Sequence, residues 1–357
     1  MEETRRSFLQ TSGITAGTLL VAGFGSQHTA AAKPESKSRL RGTLSNPIPA
    51  AKVKREKNRL INARLEERGV DTVPTVGLQD MPDDHHIVAF NFDIIDGTPS
   101  GWVGVVADPA KGRHQPDSLD EVRRGRVSTV HQKAKHNAKA RSRRREQAHS
   151  TNTDDVTTQT TDDWSDWNTQ VSERHEIVGS DGNETGYDIK WKSDPSNYSN
   201  HAVETEVRML PQPTDWVTED WVNEWADPLL TFNGSCIDEV SDYGPGNSIG
   251  SITNTISLSV SSDDVVEVGA SQSNTSSNVD IDNHSDTYGG DNYVNQKFTI
   301  SGDLQWNTVR VNQSASTAGT TYSSGDKYCD MDLVAKYRWG TSINTHKHTY
   351  NFNVFWA

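Results

Sequence analysis

Several segments of the C-terminal half alternate apolar and polar residues with period two. Cys329, Met331, Leu333, Ala335 and Tyr337 stand against Asp330, Asp332, Val334, Lys336 and Arg338. Tyr350, Phe352, Val354 and Trp356 stand against Thr349, Asn351, Asn353 and Phe355. Residues 202–210 continue the theme, as do Ile252, Ile256, Leu258 and Val260 and the pieces 297–300, 304–306 and 309–311. Successive side chains of a strand point to opposite faces, so this pattern buries one face and wets the other. Antiparallel sheets carry that signature. Gly, Ser, Asn and Asp clusters separate the runs. The expected fold is therefore mainly β, with an antiparallel, β-sandwich-like C-terminal domain. All of the ten tryptophans except Trp102 lie after residue 150 and supply large core anchors. One helix is expected within this domain, Thr218 to Ala226. Trp221 and Trp225 sit four apart there, and Asp227-Pro228 would stop it.

The segment before residue 150 reads as a small α+β unit. Residues 51–68 form a basic helix ended by Gly69, with Val53, Leu60, Ile61 and Leu65 as a thin apolar stripe. Residues 87–92 and 102–107 read as two strands joined by the turn chemistry of Asp96 to Gly101. Ser118 to His149 is a basic helix or arm, and a polar linker fills 151–165.

Charge divides the chain at the same place. Residues 33–150 carry 23 basic and 15 acidic side chains, whereas 151–357 carry 10 and 32. A domain this acidic repels itself in dilute buffer, and molar salt shortens the Debye length to about 3 Å. The expected organisation is a signal over 1–32, a basic propeptide-like or tether segment over 33–150, the linker 151–165 and an acidic all-β domain over 166–357. Arg141, Arg143, Arg144 and Arg145 form a multibasic stretch at the boundary, where processing proteases would cut.

At the N-terminus, Arg5 and Arg6 precede Ser7, Phe8 and Leu9; a moderately apolar run follows, and Ala30 to Ala32 make a small-residue cleavage site. This resembles the twin-arginine export consensus, which implies a cargo that folds before it crosses the membrane. With the acidic composition, the whole resembles exported proteins of halophilic archaea. That resemblance implies a secreted or cell-surface location. No apolar stretch reaches 18 residues, so a spanning helix is excluded.

Few residues carry recognisable chemistry. Cys236 and Cys329 are the only cysteines, and an exported chain makes a disulfide between them the natural expectation. Asp280, Asp282, Asp286 and Asp291 occupy positions 1, 3, 7 and 12 of a loop that resembles an EF-hand calcium loop. It departs at Ser285, His284 and Asp291, so Ca2+ stands against a plain solvated loop. His346 and His348 share one strand face and would need a third metal ligand; Asp83 to His86 read similarly. Asp162/Asp163 and Glu219/Asp220 are carboxylate pairs with solvation as their plain role. Sequons at Asn183, Asn197, Asn233, Asn274, Asn283 and Asn312 all follow residue 150 and mark exposed, glycosylatable surface. No zincin or phosphate-loop motif is present.

The reading favours binding over catalysis, with an envelope or carbohydrate component as partner. A basic arm on an exported protein does not make nucleic acid a partner. A secreted antagonist, halocin-like or pore-forming and released from its basic segment, is the alternative; a hydrolase zymogen is the second. Under the pore-forming reading alone the protein contacts membrane. Ser248 to Val260 would then be one leg of an insertion hairpin and Phe298 to Val311 its return.

Overall fold

The computed structural model describes residues 37–356 apart from 69–72, 96–97, 113–117, 149–166, 198, 213–219, 234, 245–278, 288–291 and 320–321. The export signal (Arg5, Arg6, Phe8, Leu9, Ala30, Ala32) lies outside the described residues, as does the linker. Residues 35–357 form one compact unit. In chain order its elements are β1 (Lys37–Arg41), α1 (Ala50–Arg68), β2 (Pro74–Asp80), β3 (His85–Ile95), β4 (Thr98–Ala107) and α2 (Leu119–Ala148). Then follow β5 (Asn168–Val178), β6 (Glu184–Ser193), β7 (His201–Leu210), β8 (Trp221–Phe232), β9 (Glu239–Gly244) and β10 (Val279–Asn283). The last four strands are β11 (Tyr293–Ile300), β12 (Val309–Ala318), β13 (Lys327–Trp339) and β14 (Thr345–Trp356).

The fold is mainly β, with 55% of the described residues in strands. One sheet of eight strands runs β1-β3-β4-β5-β6-β7-β12-β9, and one of six runs β10-β11-β8-β13-β14-β2. Their inner faces meet in a single core. Trp191 of β6 packs edge-on against Trp356 of β14 at 5.1 Å and Tyr328 of β13 at 5.9 Å. Tyr187 donates across the gap to His348 O at 2.8 Å, and Thr185 Oγ1 pairs with Tyr337 OH at 2.7 Å. Tyr187 and Tyr337 thus meet their hydroxyl needs with the opposite sheet.

The basic segment supplies strands to both sheets. β1, β3 and β4 extend the eight-stranded sheet, and β2 closes one edge of the six-stranded sheet against β14. β4 pairs with β5 in parallel, Ser100–Val106 against Ser172–Val178. A parallel neighbour needs a long crossover, and α2 provides it. That helix lies on the outer face of the sheet, where Val130 and Ala134 join Val88, Trp102 and Val106 in a second small core. Gly104 makes this packing possible, because a Cβ there would strike Val130 and Trp102. The charge boundary near residue 150 is therefore not a boundary between sheets.

Two expectations fail. Thr218 to Ala226 is not a helix; Trp221–Phe232 is the central strand β8, and 213–219 lie outside the described residues. The four-residue tryptophan spacing spans a β-bulge opposite Lys336/Tyr337, which turns Trp221 inward and leaves Trp225 half-exposed. Lys297, Lys336 and Lys347 lie over the Trp225 ring at 5.1, 5.5 and 5.1 Å. Residues 304–306 are not a strand but belong to a short 3₁₀ helix, Gly302–Trp306.

A chain nicked within 151–165 should elute as one particle in native size exclusion and separate only in denaturant, because both fragments share the β4–β5 ladder. Separation under native conditions would contradict this topology.

Candidate functional site

α1 carries Val53, Leu60 and Ile61 inward, and Lys57 falls on the same stripe. Its ammonium is drawn between the sheets, where it donates to Val76 O and pairs with Glu173 of β5. Alternation along β5 puts Val171, Glu173, His175 and Ile177 on the inner face. Gly101 on β4 leaves room for Glu173, since a Cβ there would come 2.8 Å from its carboxylate. Burial pushes the Glu173 carboxyl up, but Lys57 and His175 outweigh it and hold it at about 2. The ionised carboxylate only accepts, so His175 Nε2–H donates to Oε1 at 3.0 Å. The other ring nitrogen, Nδ1, has no partner. A cavity of about 560 Å³ opens here, lined by Lys57, Glu173, His175, Gly77, Asn353 and Phe355 among others.

Three imidazoles gather at another place between the sheets. His348 lies 6.3 Å from His85 and 4.9 Å from His346, ring to ring. Each Nδ1 is held from outside: His85 by Asp84 at 2.9 Å, His346 by Asp181 at 2.8 Å and His348 by Thr185 at 2.6 Å. Nε2 of His85 and of His348 has no partner. Gly179 packs against the His348 ring so closely that a Cβ would overlap it. Burial lowers the His348 and His85 pKa values; neighbouring imidazoles add to this, and Asp84 partly opposes it at His85. Among the described residues no three His, Cys, Asp or Glu are placed to hold a metal ion. His346 and His348 are thus inward-facing strand residues, with Lys347 between them exposed.

The other expected sites fall differently. Cys236 and Cys329 are separate buried thiols and form no disulfide in the structure. Cys236 sits in the turn after β8 beside Asn233, while the Cys329 thiol reaches Asp330 O within β13. Asp280 and Asp282 are exposed on strand β10, paired with Thr299 and Lys297, rather than in a loop. Asp286 bridges Tyr293, and Asp291 lies outside the described residues, so the EF-hand spacing falls on a hairpin. The multibasic stretch is the end of α2. Arg141 is buried there, donating to Ser100 O and Gly101 O beside Asp93; Arg143 is exposed, and the side chains of Arg144 and Arg145 are outside the described set. Asn183 is fully buried, its side chain accepting from Gln212 N, which removes it as a glycosylation site. Asp162, Asp163, Glu219 and residues 245–278 lie outside the described residues.

Lys57, Glu173 and His175 were not singled out by sequence, and His85 only as part of the Asp83 to His86 cluster. The available signals were the lysine in the apolar stripe of α1 and the parity that Glu173 and His175 share with Val171 and Ile177. No protein-family model matches the chain, and no curated protein matches it. A solved structure titled "Pore forming protein" aligns at 10% identity and TM-score 0.25, over 49% of this chain and 84% of that one.

Acid should weaken this fold in two stages. His85 and His348 have folded pKa values below the ordinary 6.5, and burial takes His201 to about 4. The unfolded chain binds more protons in that window, so the stability these groups contribute is complete above about pH 6.5 and lost as pH falls. The His201 shift alone corresponds to about 3 kcal/mol at pH 4. Glu173 and Glu176, both at about 2 in the fold, add a second loss between their ordinary 4.5 and about 2. Urea unfolding at pH 7.5, 6, 5 and 4 checks the first stage; a midpoint unchanged from pH 7 to 5 would contradict it.

Proposed function

We propose that the protein is a secreted, membrane-inserting β protein that releases cell contents through an oligomeric β-lined pore. One observation carries this reading. Residues 245–278 join β9 to β10, and each of those is the terminal strand of a different sheet. The sequence of that segment alternates Ile252, Ile256, Leu258 and Val260 with Thr253, Thr255, Ser257 and Ser259. A spanning strand needs about 9–11 residues, apolar outward and polar toward the lumen. Only a closed barrel satisfies its backbone groups in lipid, which makes insertion a property of an assembly.

The expected return leg, Phe298 to Val311, is already used. Its ends belong to β11 and β12, in different sheets. The return is instead assigned to the rest of 245–278, where Val266, Val268 and Ala270 alternate with Glu267, Gly269 and Ser271. Asp263 and Asp264 then form the leading tip. Export through the twin-arginine route would deliver a folded, water-soluble form to the outside.

Dye-loaded liposomes in molar salt test the proposal. The wild-type chain should release dye, and Ile256→Asp with Leu258→Asp should cut release at least tenfold while circular dichroism and the unfolding midpoint stay unchanged. Absence of release by the wild type at micromolar concentration, on every lipid composition tried, would sink the reading.

A further inference from the structure

We infer that copies of this chain assemble head to tail, the basic groove beside β1 and α2 of one copy receiving the acidic β9–β10 rim of the next. The inference rests on the pore-forming reading, which calls for an assembly, and it names the contact that builds one. β1 and β9 are the two terminal strands of the eight-stranded sheet. At about 4.8 Å per strand they stand about 33 Å apart along the sheet. They belong to different surfaces of the molecule, as a heterologous contact requires.

The basic end is a groove of about 960 Å³ between α2 and the turn after β1. Arg124, Val127, Ser128, His131 and Lys135 line it as one stripe of the helix. Leu44 and Val127 form an apolar floor that packs on the small outer core. His131 Nε2–H lies 3.1 Å from Gly42 O and 3.0 Å from Val88 O, which ties the two walls together. The lining holds four cations, Arg41, Arg123, Arg124 and Lys135, and two carboxylates, Asp108 and Asp120. Arg123 answers both carboxylates, at 3.0 and 3.6 Å. Arg41, Arg124 and Lys135 are exposed and leave the groove net positive; His86 and His131 add no negative charge. Lys37 continues the basic edge along β1, while Arg39 is held by Asp93 at 2.6 Å.

The other end carries the opposite sign. Asp238 and Glu239 at the start of β9 are exposed, as are Asp280 and Asp282 of β10. Asn283 Nδ2 donates to Tyr243 OH at 3.2 Å, so the two strands form one rim. Lys297, opposite Asp282, is the single cation on β9, β10 and β11, and Arg310 of β12 is taken by Glu206 at 2.9 Å. Charged edge strands suppress pairing of like with like. Two basic ends repel, two acidic ends repel, and only the unlike contact is attractive. An unlike contact repeated around an axis closes a ring. β9 and β10 also flank the segment assigned to insertion, so this contact seats each neighbour beside it, as a barrel shared among copies needs. In molar salt the attraction acts only between charges in contact.

Sedimentation velocity of detergent-extracted protein from liposomes, alongside dye release, tests this on the full chain. One variant reverses the groove (Arg41→Glu, Arg124→Glu, Lys135→Glu), a second the rim (Asp238→Lys, Glu239→Lys, Asp280→Lys), and a third carries both sets. Each single-end reversal should cut the oligomer at least tenfold at an unchanged unfolding midpoint. The doubly reversed chain should assemble again, and so should an equal mixture of the two failing variants. Unchanged assembly after either single-end reversal, or no recovery in both the doubly reversed chain and the mixture, would overturn the inference. Liposome binding lost with the groove reversal and not regained in the doubly reversed chain would assign the groove to anionic headgroups and overturn it too. Assembly through these ends without dye release would support the contact and sink the pore-forming reading. Dye release that neither reversal alters would sink the contact and leave that reading standing. A wild type that neither assembles nor releases dye sinks both.

Discussion

Parallel neighbours in a sheet cannot be joined by a tight turn, and β4 and β5 are parallel neighbours. The chain between them must leave the sheet, cross its face and return, and α2 spends its length on that crossing. The crossing covers Val88, Trp102 and Val106, which would otherwise be an exposed apolar strip. It also fixes where β5 begins, and with it the inward aim of Glu173 and His175. Among the described pairings this is the one parallel ladder. β6 and β7 follow as a meander from β5, so their register depends on it.

The charge split takes on a different meaning in this arrangement. Cations of the basic segment face anions and carbonyls of the acidic one. Lys57 meets Glu173; Lys133 meets Glu176 and Glu184; Arg126 donates to Gly179 O and Ser180 O. Burial raises the Glu176 carboxyl, but Arg208, Arg174 and Lys133 outweigh it and hold it at about 2. Buried carboxylates of this kind stay ionised only because partners from both segments surround them. Opposite net charges along one chain thus serve the packing between its parts. Removing one partner from such a pair leaves a buried charge uncompensated, which is strongly destabilising.

Some of this was legible in the sequence. Strands β7, β13 and β14 alternate cleanly because one face is core and the other solvent. The β3–β4 hairpin and both helices were bounded by turn residues and basic runs. β8 was hidden by its bulge, which mimics helical spacing between Trp221 and Trp225, and by Pro228 in mid-strand. The ladder to β11 lapses beside that proline, between the Ala226–Phe298 and Leu229–Asn295 pairs, so its missing N–H is not needed there. β5 gave no signal because Glu173 and His175 occupy its core positions, and polar residues there erase the alternation. The cavity groups come from α1, β2, β5 and β14, and no local pattern connects elements so far apart in sequence. How the strands of the basic segment join the two sheets was unreadable for the same reason: a period fixes a strand's faces but not its neighbour.

The most direct measurement is hydrogen exchange with mass-spectrometric readout on the full chain in high salt. If the shared sheets hold, peptides from β3 and β4 (85–107) exchange in the same slow class as those from β5 and β13, opening only with global unfolding. Fast exchange across 85–107, alongside slow exchange in β13 and β14, would mean that the basic segment is not part of the sheets and would contradict the account.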